Sequence, residues 1–189
     1  MKRSILCLLM SGLSLLWVSC GDGRKDSTEM AEDQNEETVD NKKEDDVEFA
    51  VEAADDGMLE VQLGTLALTK ASSPQVKQYA QMMVDDHTKA NDELKALAQQ
   101  KNITLPTTLS NESQRIYDNF KEKTEGFDKD YMDQMVKDHR DVIDDFEEQA
   151  KEGEDAQVKT WASSKLVALQ SHLQEAERLQ ETLKNGNNQ

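Results

Sequence analysis

Met83-Val84-Asp85-Asp86-His87 and Met135-Val136-Lys137-Asp138-His139 are two copies of one phrase, alike at four of five positions. Each sits midway along a stretch whose apolar residues recur with the 3.6-residue period of a helix. Around the first copy the stripe is Val76, Tyr79, Ala80, Met83, Ala90, Leu94, Leu97 and Ala98, and His87 falls in it, four residues after Met83 and seven before Leu94. Around the second it is Phe127, Tyr131, Met135, Val142, Ile143, Phe146 and Ala150, and His139 is again inside. The remaining histidine, His172, lies in a third stripe of Val158, Trp161, Ala162, Leu166, Leu169, Leu173, Ala176, Leu179 and Leu183. A polar residue inside an apolar stripe faces the neighbouring helices. Three inward histidines on three helices predict an all-α fold packed around a polar layer.

The helix ends follow from capping chemistry. Ser73 before Pro74 is an N-cap followed by a first-turn proline, which starts a helix that should run to about Lys101. Residues 102–126 form a long connection, broken at Pro106, with a short helix capped by Ser110 and carrying Ile116, Tyr117 and Phe120. A third long helix is expected from Phe127 to Ala150 or Lys151. After Gly153, Asp155 caps a fourth that ends near Lys184. Before all of these, Val47 to Ala71 places Ala53, Leu59, Leu63, Leu66 and Ala67 near one face, with Gly57 and Gly64 as points of close helix approach and Glu60 beside the stripe. Two tight hairpins joined by one long connection are the layout of a ferritin-like four-helix bundle, here spanning 47–184 with the short helix between long helices 2 and 3. Residues 185–189 should fray.

Depth along the helices supports a shared layer. At 1.5 Å per residue, Glu60 is about 17 Å from the end of its helix and His87 and His139 are about 20 and 18 Å from the starts of theirs, while His172 is about 20 Å from the end of its own. With a crossover connection these are the same end of the bundle.

The rest of the chain is of another kind. Acids outnumber bases 39 to 22, for a net charge of −17, which repels polyanions and argues against nucleic acid as a partner. Lys2 and Arg3 followed by the apolar run Ile5 to Val18 predict a signal peptide over residues 1–19. Val18-Ser19-Cys20-Gly21 resembles the lipobox of bacterial lipoproteins, with Trp17 in place of the usual aliphatic. That resemblance implies cleavage before Cys20, acylation of Cys20 and stable anchoring, since each buried methylene contributes about 0.8 kcal/mol. Cys7, the other cysteine, would leave with the signal. Residues 21–46 carry 11 acids and 4 bases and almost no large apolar side chain, so residues 20–46 are expected to form a disordered acidic tether behind the lipidated cysteine.

Several segments also resemble a known family: Glu60-Val61 with Gly64, Ser72-Ser73-Pro74-Gln75-Val76, both copies of the histidine phrase, Leu105-Pro106, Phe127-Asp128 before Tyr131, and Leu169 to Leu173 around His172. They look like the outer-membrane, ferritin-like domains of unknown function found in bacterial lipoproteins. The resemblance implies a lipid-anchored or exported helical bundle in the cell envelope, at the outer membrane, and supplies no established activity.

Two readings of the polar layer stand side by side. In the plainer one the histidines are buried neutral groups bonded to Glu60 and the aspartates, fixing helix register. The protein is then a non-enzymatic envelope module with a binding, structural or stress-linked role, and its partner is the membrane through the lipid. In the other, Glu60, His87, His139 and His172 bind a divalent transition metal such as Fe, Mn or Zn for redox or storage. Asp86 and Asp138 point about 100° away from the adjacent histidines, so they suit support of the ligands better than ligation of the same ion, and Glu175 shares the face of His172. Met83 and Met135, four residues before their histidines, would add thioethers suited to copper. No nucleophile with a plausible setting and no phosphate loop is present.

Overall fold

The structure, a computed structural model, describes residues 25–36 and 44–186. The signal segment, Cys7, Cys20 and the last three residues lie outside them. The described residues form six helices and no strand: α1 (Ser27–Glu36), α2 (Glu44–Lys70), α3 (Pro74–Lys101), α4 (Asn111–Glu122), α5 (Phe127–Glu152) and α6 (Ala156–Gly186). The capping chemistry appears at three starts. Ser73 Oγ accepts from the Val76 amide and Ser110 Oγ from the Ser113 amide at 3.2 Å, while Asp155 Oδ1 accepts from the Gln157 amide at 2.9 Å. Asn102, with φ at 58°, closes α3 in the left-handed region that Asn tolerates.

α2 and α3 form one hairpin, α5 and α6 a second, and the hairpins face each other with α2 against α5 and α3 against α6. Two aspartates fix their relative direction. Asp46, at the start of α2, accepts from the Glu154 and Asp155 amides at 3.1 and 2.6 Å in the turn between α5 and α6. Asp128, at the start of α5, accepts from the Ser72 and Ser73 amides at 2.9 and 2.6 Å in the turn between α2 and α3. α2 and α5 are therefore antiparallel. The Lys101–Asp155 ion pair at 2.7 Å joins the end of α3 to the start of α6, so these two are antiparallel as well.

Close approach within the first hairpin depends on small residues. A methyl group at Gly64 would stand 2.9 Å from Val84 Cγ2 and 3.1 Å from the Ala80 carbonyl, and one at Gly57 would overlap Asn91. The apolar interior has two main parts. Leu63, Val76, Met83, Tyr131, Met135 and Leu179 belong to the larger, near the α2–α3 turn, and Phe49, Ile143, Phe146, Val158 and Leu169 to the smaller, toward the other end. Along α5 the order is Met135, His139, Ile143, and along α6 it is Leu169, His172, Ala176. The histidines lie where one apolar core ends and the other begins.

The acidic tether expected over residues 20–46 is corrected in part, because Ser27–Glu36 is helical and seated against α2. Asp26 caps it, accepting from the Thr28 and Glu29 amides at 3.1 Å each. Ala31 and Asn35, one turn apart, are buried; Ala31 meets Val47 and Val51, and the Asn35 amide pairs with both backbone groups of Thr104 at 2.7 and 2.9 Å. Charge composition misses such a helix because hydrogen bonds from a narrow face hold it, not apolar area. The first three residues of α2, Glu44 to Asp46, also fall within the expected tether.

Candidate functional site

His87, His139 and His172 extend from α3, α5 and α6 into one cluster, with ring centroids 5.5 to 5.7 Å apart. One nitrogen from each ring lies within 4.8 Å of the others. Glu60 reaches the cluster from α2, its Oε1 3.8 Å from His139 Nδ1, too far for a hydrogen bond. All four side chains are at most 9% exposed.

The partners of two histidines fix their tautomers. His139 Nδ1 donates to the Met135 carbonyl at 2.9 Å, which leaves the lone pair on Nε2. His172 Nε2 donates to Asp86 Oδ2 at 2.9 Å, which leaves the lone pair on Nδ1. The free atoms have no hydrogen-bond partner: His139 Nε2, His172 Nδ1, His87 Nε2 and Glu60 Oε2 are all buried and unpaired. An unmet buried donor or acceptor costs about 1–3 kcal/mol, and four in one place are unusual.

Electrostatics favour the neutral form of His87 and His139, the form a metal would need. Burial, with the other two histidines close by, holds His87 well below its ordinary range, and burial beside His172 lowers His139 to about 4. The carboxyls move the opposite way. Burial, reinforced by Asp138 and Asp56, raises Glu60 well above the carboxylate range. Asp56, one turn before Glu60, is pushed up to about 7 by burial and by Asp55 and Asp138. Burial also raises Asp138, against the opposing effects of Gln134 and Lys137. The hydroxyls of Tyr79 and Tyr131 are buried and unpaired too, and both phenols are raised by burial and by Glu60.

A cavity of about 270 Å³ opens on the cluster, bordered by Glu60, the three histidines and an apolar wall that includes Phe146 and Trp161, with Lys89 and Lys165 among its lining. On the other side of Glu60, a second cavity of about 340 Å³ is lined by acids.

The four residues expected in one layer are thus adjacent. Their expected neighbours behave differently from one another. Asp86 bonds His172 on another helix rather than supporting its own neighbour His87. Asp138 is held by Gln134 at 2.8 and 2.9 Å and reaches no histidine. Glu175 is corrected as a support of His172, because it forms a two-pronged pair with Arg178 at 2.6 and 2.7 Å. Met83 and Met135 are fully buried members of the larger apolar core. Sequence reading missed Asp56; its spacing of four residues from Glu60 puts both carboxyls on one face of α2 and was the available signal.

The fold and cluster define an all-helical domain with a buried imidazole centre. The chain belongs to the family described as Domain of unknown function (DUF4142), whose model matches residues 29–179. That match includes most of α1. Among solved structures, the chain is similar to the crystal structure of a DUF305 fragment from Deinococcus radiodurans, at 12% identity and a TM-score of 0.64, covering 73% of this chain and 96% of that one. At that identity the likeness concerns the fold alone. No curated protein matches the chain.

Proposed function

We propose that the protein is a metal-binding envelope lipoprotein: a ferritin-like four-helix bundle of α2, α3, α5 and α6 that holds a divalent transition ion by His87, His139 and His172, with Glu60 at or beside the fourth position. The observation that carries this reading is the convergence of three buried imidazoles, one nitrogen from each within 4.8 Å of the others, each ring carrying a buried nitrogen with no hydrogen-bond partner. A layer built only to fix helix register would spend those atoms on each other or on the aspartates, yet only Asp86 meets a histidine. The supporting bonds also suit a metal centre, because His139 Nδ1 on a carbonyl and His172 Nε2 on a carboxylate turn their lone pairs away from those partners. Three nitrogens and one oxygen suit Zn, Fe, Mn or Cu. An ion held at ordinary bond lengths would place its ligand nitrogens about 3.4 Å apart, so loading would draw together any pair now near the 4.8 Å limit.

The antiparallel hairpins and the helix between α3 and α5 support the ferritin-like label. Anchoring through Cys20 rests on the signal and lipobox resemblance, and placement at the outer membrane on the family resemblance of the bundle segments. Among the described residues no helix is long and apolar enough to cross a membrane.

The test is cobalt. Protein purified without a histidine tag should bind one Co²⁺ with visible bands of a nitrogen-ligated tetrahedral ion, and His139→Leu/His172→Leu should abolish them. Absence of those bands, with an unshifted melting temperature on adding Zn²⁺, Fe²⁺, Mn²⁺ or Cu²⁺, would overturn the reading. For the anchor, a Cys20→Ala form that stays membrane-bound as tightly as wild type would sink the lipid assignment.

A further inference from the structure

The imidazole centre is not sealed by protein. His87, His139 and His172 all border the cavity of about 270 Å³, and much of the remaining wall is apolar carbon from Ala53, Val142, Phe146, Trp161 and Leu169. Metal centres that only stabilise a fold close the coordination sphere with protein ligands, whereas those that act on a ligand keep a position for it. Three imidazoles, with or without Glu60, leave such a position. The space beside it is large enough for an organic molecule, since an apolar cavity of about 150 Å³ holds benzene.

A second observation lies outside the centre. Among the described residues, seven buried side-chain nitrogen and oxygen atoms lack a hydrogen-bond partner, and five of them belong to residues that border this cavity. The imidazole centre takes four of the five. The fifth is Trp161 Nε1, an N–H donor that a cation cannot satisfy and an oxygen acceptor can. From Trp161 to His172 along α6 the lining covers about 16 Å, so the indole and the imidazoles lie toward opposite ends of the cavity.

Charge narrows the occupant further. Metal-bound imidazoles are neutral and Glu60 supplies at most one negative charge, so a divalent ion held by these residues keeps a positive charge, which attracts an anion most strongly where water is scarce. Asp86, also on the wall, is engaged by His172 Nε2 at 2.9 Å. Exposed Lys89 borders the cavity too, and among the described residues it has no carboxylate within ion-pair distance.

We propose that the cavity binds a small aromatic carboxylate: its head on the metal ion, its ring against Val142, Phe146 and Leu169, and a second oxygen at its far end accepting from Trp161 Nε1. The proposal rests on metal binding by the histidines.

The test is a titration of the Co²⁺-loaded protein, followed by its visible bands, with acetate, benzoate and 4-hydroxybenzoate. Benzoate should shift the bands and bind about tenfold or more tighter than acetate, because only benzoate buries a ring. The added oxygen of 4-hydroxybenzoate should gain about fivefold more in wild type, and Trp161→Phe should erase that gain while keeping the cobalt bands. Bands unmoved by benzoate, equal affinity for benzoate and acetate, or a gain that survives in Trp161→Phe would each overturn the proposal and leave the metal centre standing. Should Trp161→Phe not fold, the benzoate-to-acetate ratio in wild type still decides. Failure to bind Co²⁺ at all would sink the metal centre and this site with it.

Discussion

Asp46 and Glu60 lie on the same helix, at 2% and 4% exposure, and are treated in opposite ways. At Asp46 both oxygens are engaged: Oδ1 accepts from the Glu154 amide and the Gln149 side chain, and Oδ2 from the Asp155 amide. At Glu60, Oε2 has no partner and Oε1 stands 3.8 Å from the nearest edge of a pair it does not complete. Asp55, also buried, repeats the Asp46 pattern with three donors. This chain satisfies buried carboxylates where they serve structure. Four of the buried unpaired atoms belong to the central layer, the others being the Tyr79 and Tyr131 hydroxyls and Trp161 Nε1, and the proposed metal site would account for those of the layer at a cost in stability of the empty protein.

The largest effect should come from breaking the satisfied member. Asp46→Ala strands the Glu154 and Asp155 amides and the Gln149 amide, and should lower unfolding free energy by about 3 kcal/mol in urea titration. Glu60→Gln in metal-free protein should cost little or be slightly stabilising, because it removes a carboxyl with nothing to bond. An equal loss in both variants would erase the contrast.

Next in size is the gain on filling the site. Zn²⁺ at a hundred times its dissociation constant should stabilise wild type by about 2.7 kcal/mol and leave His139→Leu/His172→Leu unmoved in thermal unfolding. A smaller loss, about 1–2 kcal/mol, is expected for Gly64→Ala, because the added methyl meets Val84 and the Ala80 carbonyl. It should lower stability without altering metal stoichiometry, and a change in stoichiometry would link hairpin packing to the site.

The smallest net effect is on pH, where the two sides of the layer oppose each other. His139, lowered to about 4, contributes stability that is present above pH 6.5 and lost as pH falls toward 4. Asp56, raised to about 7, contributes stability that is present below pH 3.8 and lost as pH rises through 7. Metal-free wild type should be nearly flat between pH 4 and 6.5. Asp56→Asn should become more stable with rising pH across that window and His139→Leu less stable, as read from urea midpoints; parallel profiles would refute the opposition.

Much of this was legible in the residues, and the gaps have physical causes. The stripes carrying His87, His139 and His172 repeat at helical spacing, so their inward direction is a local property. The Ser73, Ser110 and Asp155 caps are local too, each bonding an amide two or three residues on. The Asp86–His172 bond joins positions 86 residues apart on different helices, and no spacing rule contains it. The same holds for Asn35 with Thr104, which is why α1 looked like part of a tether. Glu175 shared a helix face with His172, but a face is about 100° wide, and Arg178 three residues away offered the stronger partner.

The sequence by itself determined the all-helical class, four long helices and three histidines turned toward their neighbours, because helix period and capping act within a few residues. It also carried the charge pattern. Only the tertiary structure decided that one nitrogen from each ring comes within 4.8 Å of the others, that Glu60 stands beside them with Oε2 unpaired, and that acids from four helices border a separate cavity. Those relations depend on how the helices rotate about their own axes and where the hairpins meet. Asp46 and Asp128 help set that meeting through bonds between parts of the chain more than fifty residues apart.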